Sequence, residues 1–139
     1  MNLFSQTRLV FMTRVLVIDD DEINNFTIEA MLERSQFVDS FEIQEGAIGA
    51  LTYLEQADTK SDFPNLIFVD INMPEMDGYG FLDRYQPRFM KKYPDTRLYM
   101  LSSSISEHDK ERSLAYACVS EYITKPLSRT KLQELVGYT

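Results

Sequence analysis

The sequence predicts an α/β fold in which a parallel sheet carries helices on both faces. Three observations lead there. Short apolar runs alternate with stretches of helical spacing. The runs end roughly every 25–30 residues, a length suited to strand–helix–strand units with right-handed crossovers. Four of the runs stop abruptly in residues that carry chemistry, at Asp19–Asp20, Asp70, Ser102 and Lys125.

The first strand is Arg14–Ile18, and the acids Asp19–Asp20–Asp21–Glu22 follow it. Ile23, Phe26 and Ala30 then recur at helical spacing as far as about Arg34, with acids in the opening turn to favour the helix dipole. Val38–Ile43 alternates, with Phe41 and Ile43 on one face, and reads as an edge-like strand. Gly46 ends it, and Ile48, Leu51 and Leu54 line a second helix. Leu66–Val69 is a short strand apolar enough to be buried on both faces, closed by Asp70 and the Pro74 and Gly78 of a turn.

Phe81, Leu82, Tyr85 and Phe89 mark a third helix, and Pro87 predicts a kink or break near Gln86. Arg97–Ser102 is the fourth strand. Ser106 and Asp109 resemble a capping box opening a fourth helix through about Ala117. Glu121–Thr124 is the fifth strand, ending in Lys125–Pro126, and Ser128 caps a last helix whose apolar face is Leu132, Leu135 and Val136.

At 139 residues this is one domain, large enough to bury roughly 68–70% of its unfolded surface without disulfides. The single Cys118 fits a reducing, cytoplasmic setting. A net charge of −8 argues against a nucleic-acid footprint and against an anionic membrane surface. No apolar run approaches the roughly 20 residues of a membrane helix. Residues 1–13 read as an extension ahead of a domain at 14–139, with Met12 as an alternative start. His108 reads as a solvated surface residue, Cys118 as packed, and Lys91–Lys92 as a solvated pair. Tyr79, Tyr85, Phe89 and Tyr93 read as helix and core packing.

In a parallel sheet the ends at Asp19–Asp20, Asp70, Ser102 and Lys125 lie along one edge, where open α/β sheets place ligands. Carboxylates about 4 Å apart at an effective dielectric near 20 repel by about 4 kcal/mol per pair, so their pKa values rise or a cation sits among them. An all-oxygen site suits Mg²⁺ better than Zn²⁺. Lys125, a point charge, suits a phosphoryl oxygen or a carboxylate, and Ser102 can donate to the same oxygen. Together these groups point to phosphoryl transfer onto a carboxylate, with an Asp as nucleophile.

Through the motifs VLVIDD, FVDINMPEMDG, MLSS and YITKP, in that order, the stretch from about Arg14 to Thr139 resembles the receiver domains of two-component response regulators, close to the single-domain chemotaxis type. The resemblance implies a flavodoxin-like (βα)5 fold with sheet order 2-1-3-4-5. It implies that Asp70 is the phospho-acceptor, that Asp20 binds Mg²⁺ directly and Asp19 largely through water, and that Asn72 offers its backbone carbonyl. Ser102 would be the switch hydroxyl, Lys125 the partner of the phosphoryl group, and Tyr122 the aromatic switch residue.

Ser102 replaces the commoner Thr, keeping the hydroxyl without the methyl, and Cys118–Val119 stands where the family often has Gly-Ala. Asn72 and Ser104, which occupy positions that influence phosphate loss in this family, are both small and polar.

The implied function is a stand-alone receiver: a phosphoryl group arrives from a sensor histidine kinase or histidine phosphotransfer protein, and autodephosphorylation removes it. The face made by the fourth helix, fifth strand and fifth helix would carry output to a protein partner, a homodimer or onward phosphotransfer, since only Gly137–Tyr138–Thr139 follow the last helix. The alternative is a pseudo-receiver that binds partners without turning over phosphate, for which loss of Asp70, Lys125 or the acidic pair is expected. A metal-dependent phosphatase would want an acid two residues after the nucleophile, where Asn72 stands.

Overall fold

The computed structural model describes residues 13–137, so the extension assigned to residues 1–13 lies, Thr13 apart, outside the described residues. The five apolar runs form the strands β1 (Thr13–Ile18), β2 (Val38–Gln44), β3 (Leu66–Val69), β4 (Arg97–Ser102) and β5 (Val119–Thr124). Between and after them run the helices α1 (Glu22–Arg34), α2 (Ala47–Lys60), α3 (Gly78–Phe89), α4 (Glu107–Leu114) and α5 (Arg129–Gly137). All strand pairs are parallel and the order is β2-β1-β3-β4-β5, the flavodoxin-like arrangement.

The sheet is buried on both sides, which is why β1, β3 and β4 read as continuous apolar runs. On one face Leu16, Ile18, Ile67, Val69, Leu98 and Met100 meet Leu51 and Leu54 of α2 and Phe81, Leu82, Tyr85 and Phe89 of α3. On the other, Val15, Val17, Leu66, Phe68, Tyr99 and Leu101 meet Ile28 and Leu32 of α1 and Leu132, Leu135 and Val136 of α5.

Register then fixes what stands at the carboxyl edge. Ile18 pairs with Val69, so the next residues, Asp19 and Asp70, emerge side by side. Ser102 pairs with Thr124, which delivers Lys125 one residue later. Backbone bonds continue the ladder past the strand ends: Asp70 N–H donates to the Ile18 carbonyl (2.9 Å) and Lys125 N–H to the Ser102 carbonyl (2.8 Å).

Several expectations need correction. The buried stripe of α1 is Asn25, Ile28 and Leu32, while Ile23 and Phe26 are 81% and 77% exposed. The Asp21 carboxylate accepts from the N–H groups of Ile23 and Asn24, and Asn25 Nδ2 donates to the Asp19 carbonyl at 2.8 Å. The cap and the Asn25 anchor together set the helix phase, against the simple apolar count. Ile48 is likewise half exposed, and small residues, Ala47, Ala50 and Ala57, complete the α2 stripe.

Pro87 does not break α3, which runs on to Phe89. The proline stands two residues before the helix ends and removes only the N–H that would bond the Asp83 carbonyl. Helix α4 stops at Leu114 rather than Ala117, since Tyr116 leaves the helix to bond Asp83 of α3 through its phenol (2.7 Å). The capping box at α4 is half made. Ser106 Oγ accepts from Asp109 N–H (3.3 Å), but the Asp109 carboxylate is engaged elsewhere. Lys91 and Lys92 are exposed as expected, and Lys92 pairs with Asp58 at the surface (2.6 Å). The other surface and packing expectations hold, with His108 exposed, Tyr79, Tyr85 and Phe89 buried, and Tyr93 stacked on Phe63.

Candidate functional site

At the carboxyl edge, Asp19, Asp20 and Asp70 bring one carboxylate oxygen each to within 4.8 Å of one another. Asp19 and Asp70 are buried and Asp20 is exposed. Lys125 reaches across from the end of β5, its Nζ 2.7 Å from Asp19, 3.5 Å from Asp21 and 3.8 Å from Asp70. The bond from Lys125 to Pro126 is cis.

Asp19 is the best-held member. One carboxylate oxygen accepts from Asp21 N–H (2.9 Å), and the other from Asn24 Nδ2 (3.0 Å) and Lys125 Nζ. Asp70 is in a different position. Burial, and then the negative charge of Asp19, push its carboxyl up to about 7, against the pull of Lys125 and of the Ile71 N–H. Burial opposes the charge on Lys125, but Asp19, Asp70 and Asp21 outweigh it and hold the ammonium pKa above its ordinary value. The Asn24 N–H, followed by Lys125, keeps the Asp21 carboxyl low.

The loop after β3 is folded tightly against Asp70. Gly78 N–H donates to the Ile71 carbonyl at 2.7 Å, and a Cβ on Gly78 would stand 2.4 Å from the Asp70 carbonyl oxygen, so no side chain fits there. Asp77 then caps α3 by accepting from Gly80 N–H (2.8 Å). Glu75, at φ 70°, holds the left-handed conformation that the turn requires. Asn72 lies exposed in this loop.

Ser102 is fully buried at the end of β4, its hydroxyl accepting from Ser104 N–H (3.1 Å). Tyr122 is half-buried on β5 and donates its phenol to the Ser104 carbonyl at 2.8 Å. Of the residues singled out in the sequence, Asp19, Asp20, Asp70 and Lys125 therefore share one pocket. Ser102 and Tyr122 instead converge on Ser104, in the loop that follows β4.

Sequence reasoning missed Asn24 and Asn25, which orient the Asp19 side chain and main chain. The signal was there: two adjacent asparagines, poor helix formers, stand where an apolar stripe should begin. It also gave Asp109 and Tyr79 no part beside Ser104.

The donor set fits a hard divalent cation. Three carboxylates converge beside Lys125, and every ligand atom they offer is an oxygen. Asp19 already takes three donors, which suits contact with such an ion through water.

The family model for the response regulator receiver domain matches residues 15–137. The sensor histidine kinase CheAY of Helicobacter pylori is 32% identical over 122 residues, 88% of this chain and 14% of that protein. The chain spans less than half the length of several curated relatives it matches. Among solved structures, a two-component response regulator from Cytophaga hutchinsonii is similar with a TM-score of 0.81 and 28% identity, over 89% of this chain and 93% of that one. The receiver domain of a sensor histidine kinase from Pseudomonas aeruginosa, solved with magnesium in its active-site cleft, shares the fold at a TM-score of 0.72 and 23% identity, over 89% and 93% of the two chains.

Proposed function

The chain belongs to the response regulator receiver domain family, and from that premise we propose that Asp70 accepts a phosphoryl group from a phosphohistidine and later loses it to water. The observation that supports this most directly is the gathering of Asp19, Asp20 and Asp70 with Lys125 on one sheet edge.

A carboxylate oxygen of Asp70 forms the new bond to phosphorus. The nitrogen–phosphorus bond of the donor breaks, and its electron pair returns to the imidazole. Water later attacks phosphorus, releasing inorganic phosphate and restoring the carboxylate. Only ionised Asp70 is nucleophilic, so a carboxyl near 7 must be drawn into its charged form. Lys125 draws it part of the way and is placed to take a phosphoryl oxygen. Mg²⁺ held by Asp19, Asp20, Asp70 and the Asn72 carbonyl would supply the remaining positive charge.

Ser102 donates its hydroxyl to the phosphoryl group, and Tyr122 reports that shift on the α4–β5–α5 face, where a protein target or a second copy docks. The donor is a sensor histidine kinase or a histidine phosphotransfer protein, in keeping with the kinase relatives. A reducing, cytoplasmic setting belongs to this reading, with the Cys118 thiol half-buried and pushed up to about 11 by that burial.

Intact mass after incubation with acetyl phosphate tests the reading. One phosphoryl adduct is expected, requiring both Mg²⁺ and Asp70 and absent from Asp70→Asn. An adduct that persists in Asp70→Asn names the wrong nucleophile. No adduct from acetyl phosphate or a phosphohistidine donor, in folded protein, returns the chain to the pseudo-receiver alternative.

A further inference from the structure

Ser104 is the junction of the two switch residues, since its N–H goes to Ser102 and its carbonyl takes the Tyr122 phenol. What holds Ser104 in place is Asp109. The Ser104 hydroxyl donates to one Asp109 carboxylate oxygen at 2.6 Å, and the phenol of Tyr79 donates to the other at 2.9 Å. Tyr79 is buried at the start of α3, its ring stacked beside Tyr116 and covered by the Arg112 guanidinium 3.8 Å from the ring centre. The carboxylate therefore ties the loop after β4 to the body of α3.

An acid at this position of α4 would ordinarily return to the N–H of the capping serine. Here the Ser106 N–H is taken by the Ser104 hydroxyl (3.2 Å), leaving both Asp109 oxygens for Ser104 and Tyr79. A cap alone does not account for a carboxylate shared between a loop hydroxyl and a buried phenol from another helix.

We propose that Asp109 is a positioning residue of the switch: by clamping Ser104 to Tyr79 it keeps the Ser104 carbonyl where the Tyr122 phenol finds it, and so biases Tyr122 to the half-buried position in which that bond is made. This rests on the reading of Ser102 and Tyr122 as switch residues. In this chain the switch is then set from two sides. The phosphorylation site acts through Ser102, and α3 acts through Tyr79, Asp109 and the Ser104 hydroxyl. Removing the clamp frees the loop without touching the acidic pocket.

The test is fluorine NMR of the full chain labelled with 3-fluorotyrosine, with the Tyr122 resonance assigned by Tyr122→Phe and folding checked by circular dichroism. The resonance of Tyr122 in its half-buried, Ser104-bonded position is expected to dominate in the wild type. It should be lost to a solvent-exposed position in both Asp109→Ala and Ser104→Ala, and partly displaced in Tyr79→Phe. Asp109→Asn, which keeps one acceptor, should restore part of it. Adduct formation with acetyl phosphate should stay within about threefold of wild type in Asp109→Ala, because Asp109 is not among the acidic-pocket residues.

An unmoved Tyr122 resonance in folded Asp109→Ala overturns the proposal. So does a loss in Asp109→Ala that Ser104→Ala fails to reproduce, which would make Asp109 a helix cap only. Failure of the wild type to take any adduct counts against the phospho-acceptor reading, while the clamp stands or falls with the resonance alone.

Discussion

With its carboxyl raised to about 7 by burial and by Asp19, metal-free Asp70 keeps its proton well above the ordinary carboxylate range. In the unfolded chain it ionises near 3.8. Between those values the folded state binds a proton that the unfolded state has lost, so stability falls as pH rises from about 4 to about 7 and is level above that. Asp70→Asn removes this slope. After allowance for solvent screening at the open pocket, the wild type should lose roughly 1–2 kcal/mol relative to the variant between pH 4.5 and pH 8. Urea unfolding in the presence of a chelator measures it, and identical slopes for the two proteins would refute the argument. The identity of Asp70 was legible in the sequence because an apolar run stops at it. A raised carboxyl was one of two outcomes the sequence left open; that it falls on Asp70 depends on how deeply the fold buries that residue and on how closely the register brings Asp19 alongside.

Helix α1 shows where periodicity fails and why. Ile23 and Phe26 were the obvious apolar face, yet the helix turns them to solvent, since Asp21 fixes the first turn and Asn25 is held inward by the Asp19 carbonyl. Ile23→Ser and Phe26→Ser should each change stability by no more than about 0.5 kcal/mol, whereas Leu32→Ala should cost about 2–5 kcal/mol. Thermal melts of the three variants decide the phase of the helix.

The β3–α3 loop carries the complementary lesson. Gly78 was read as turn punctuation, but its role is steric, because a Cβ there would strike the Asp70 carbonyl oxygen. Backbone cannot yield as a flexible side chain does. Gly78→Ala should therefore cost about 1–3 kcal/mol and slow adduct formation at Asp70, as the displaced carbonyl moves the acceptor. Full stability with full phosphorylation would show that the loop relaxes more readily than the packing implies.

Across the whole molecule, one sheet edge concentrates acids that the core cannot neutralise. The strand ends were readable individually. Their convergence followed from parallel order, which brings Asp19, Asp70 and Lys125 together although they lie far apart in the chain. The Tyr79–Asp109–Ser104 contacts were not readable, since they join a helix start, a helix turn and a loop that share no sequence pattern.

With Mg²⁺ bound at this edge, as proposed, global stability should depend on the cation. A ligand that binds only the folded state adds about 2.7 kcal/mol when present at a hundred times its dissociation constant. For a two-state domain of this size, that raises Tm by roughly 10 °C. The wild type should therefore melt about 10 °C higher in saturating Mg²⁺ than in chelator at pH 8. Removing two of the three carboxylates, as in Asp20→Asn with Asp70→Asn, should abolish nearly all of that rise. A shift of the same size in the double variant would mean that Mg²⁺ screens the acidic surface at large, and that the edge formed by Asp19, Asp20 and Asp70 is not its site.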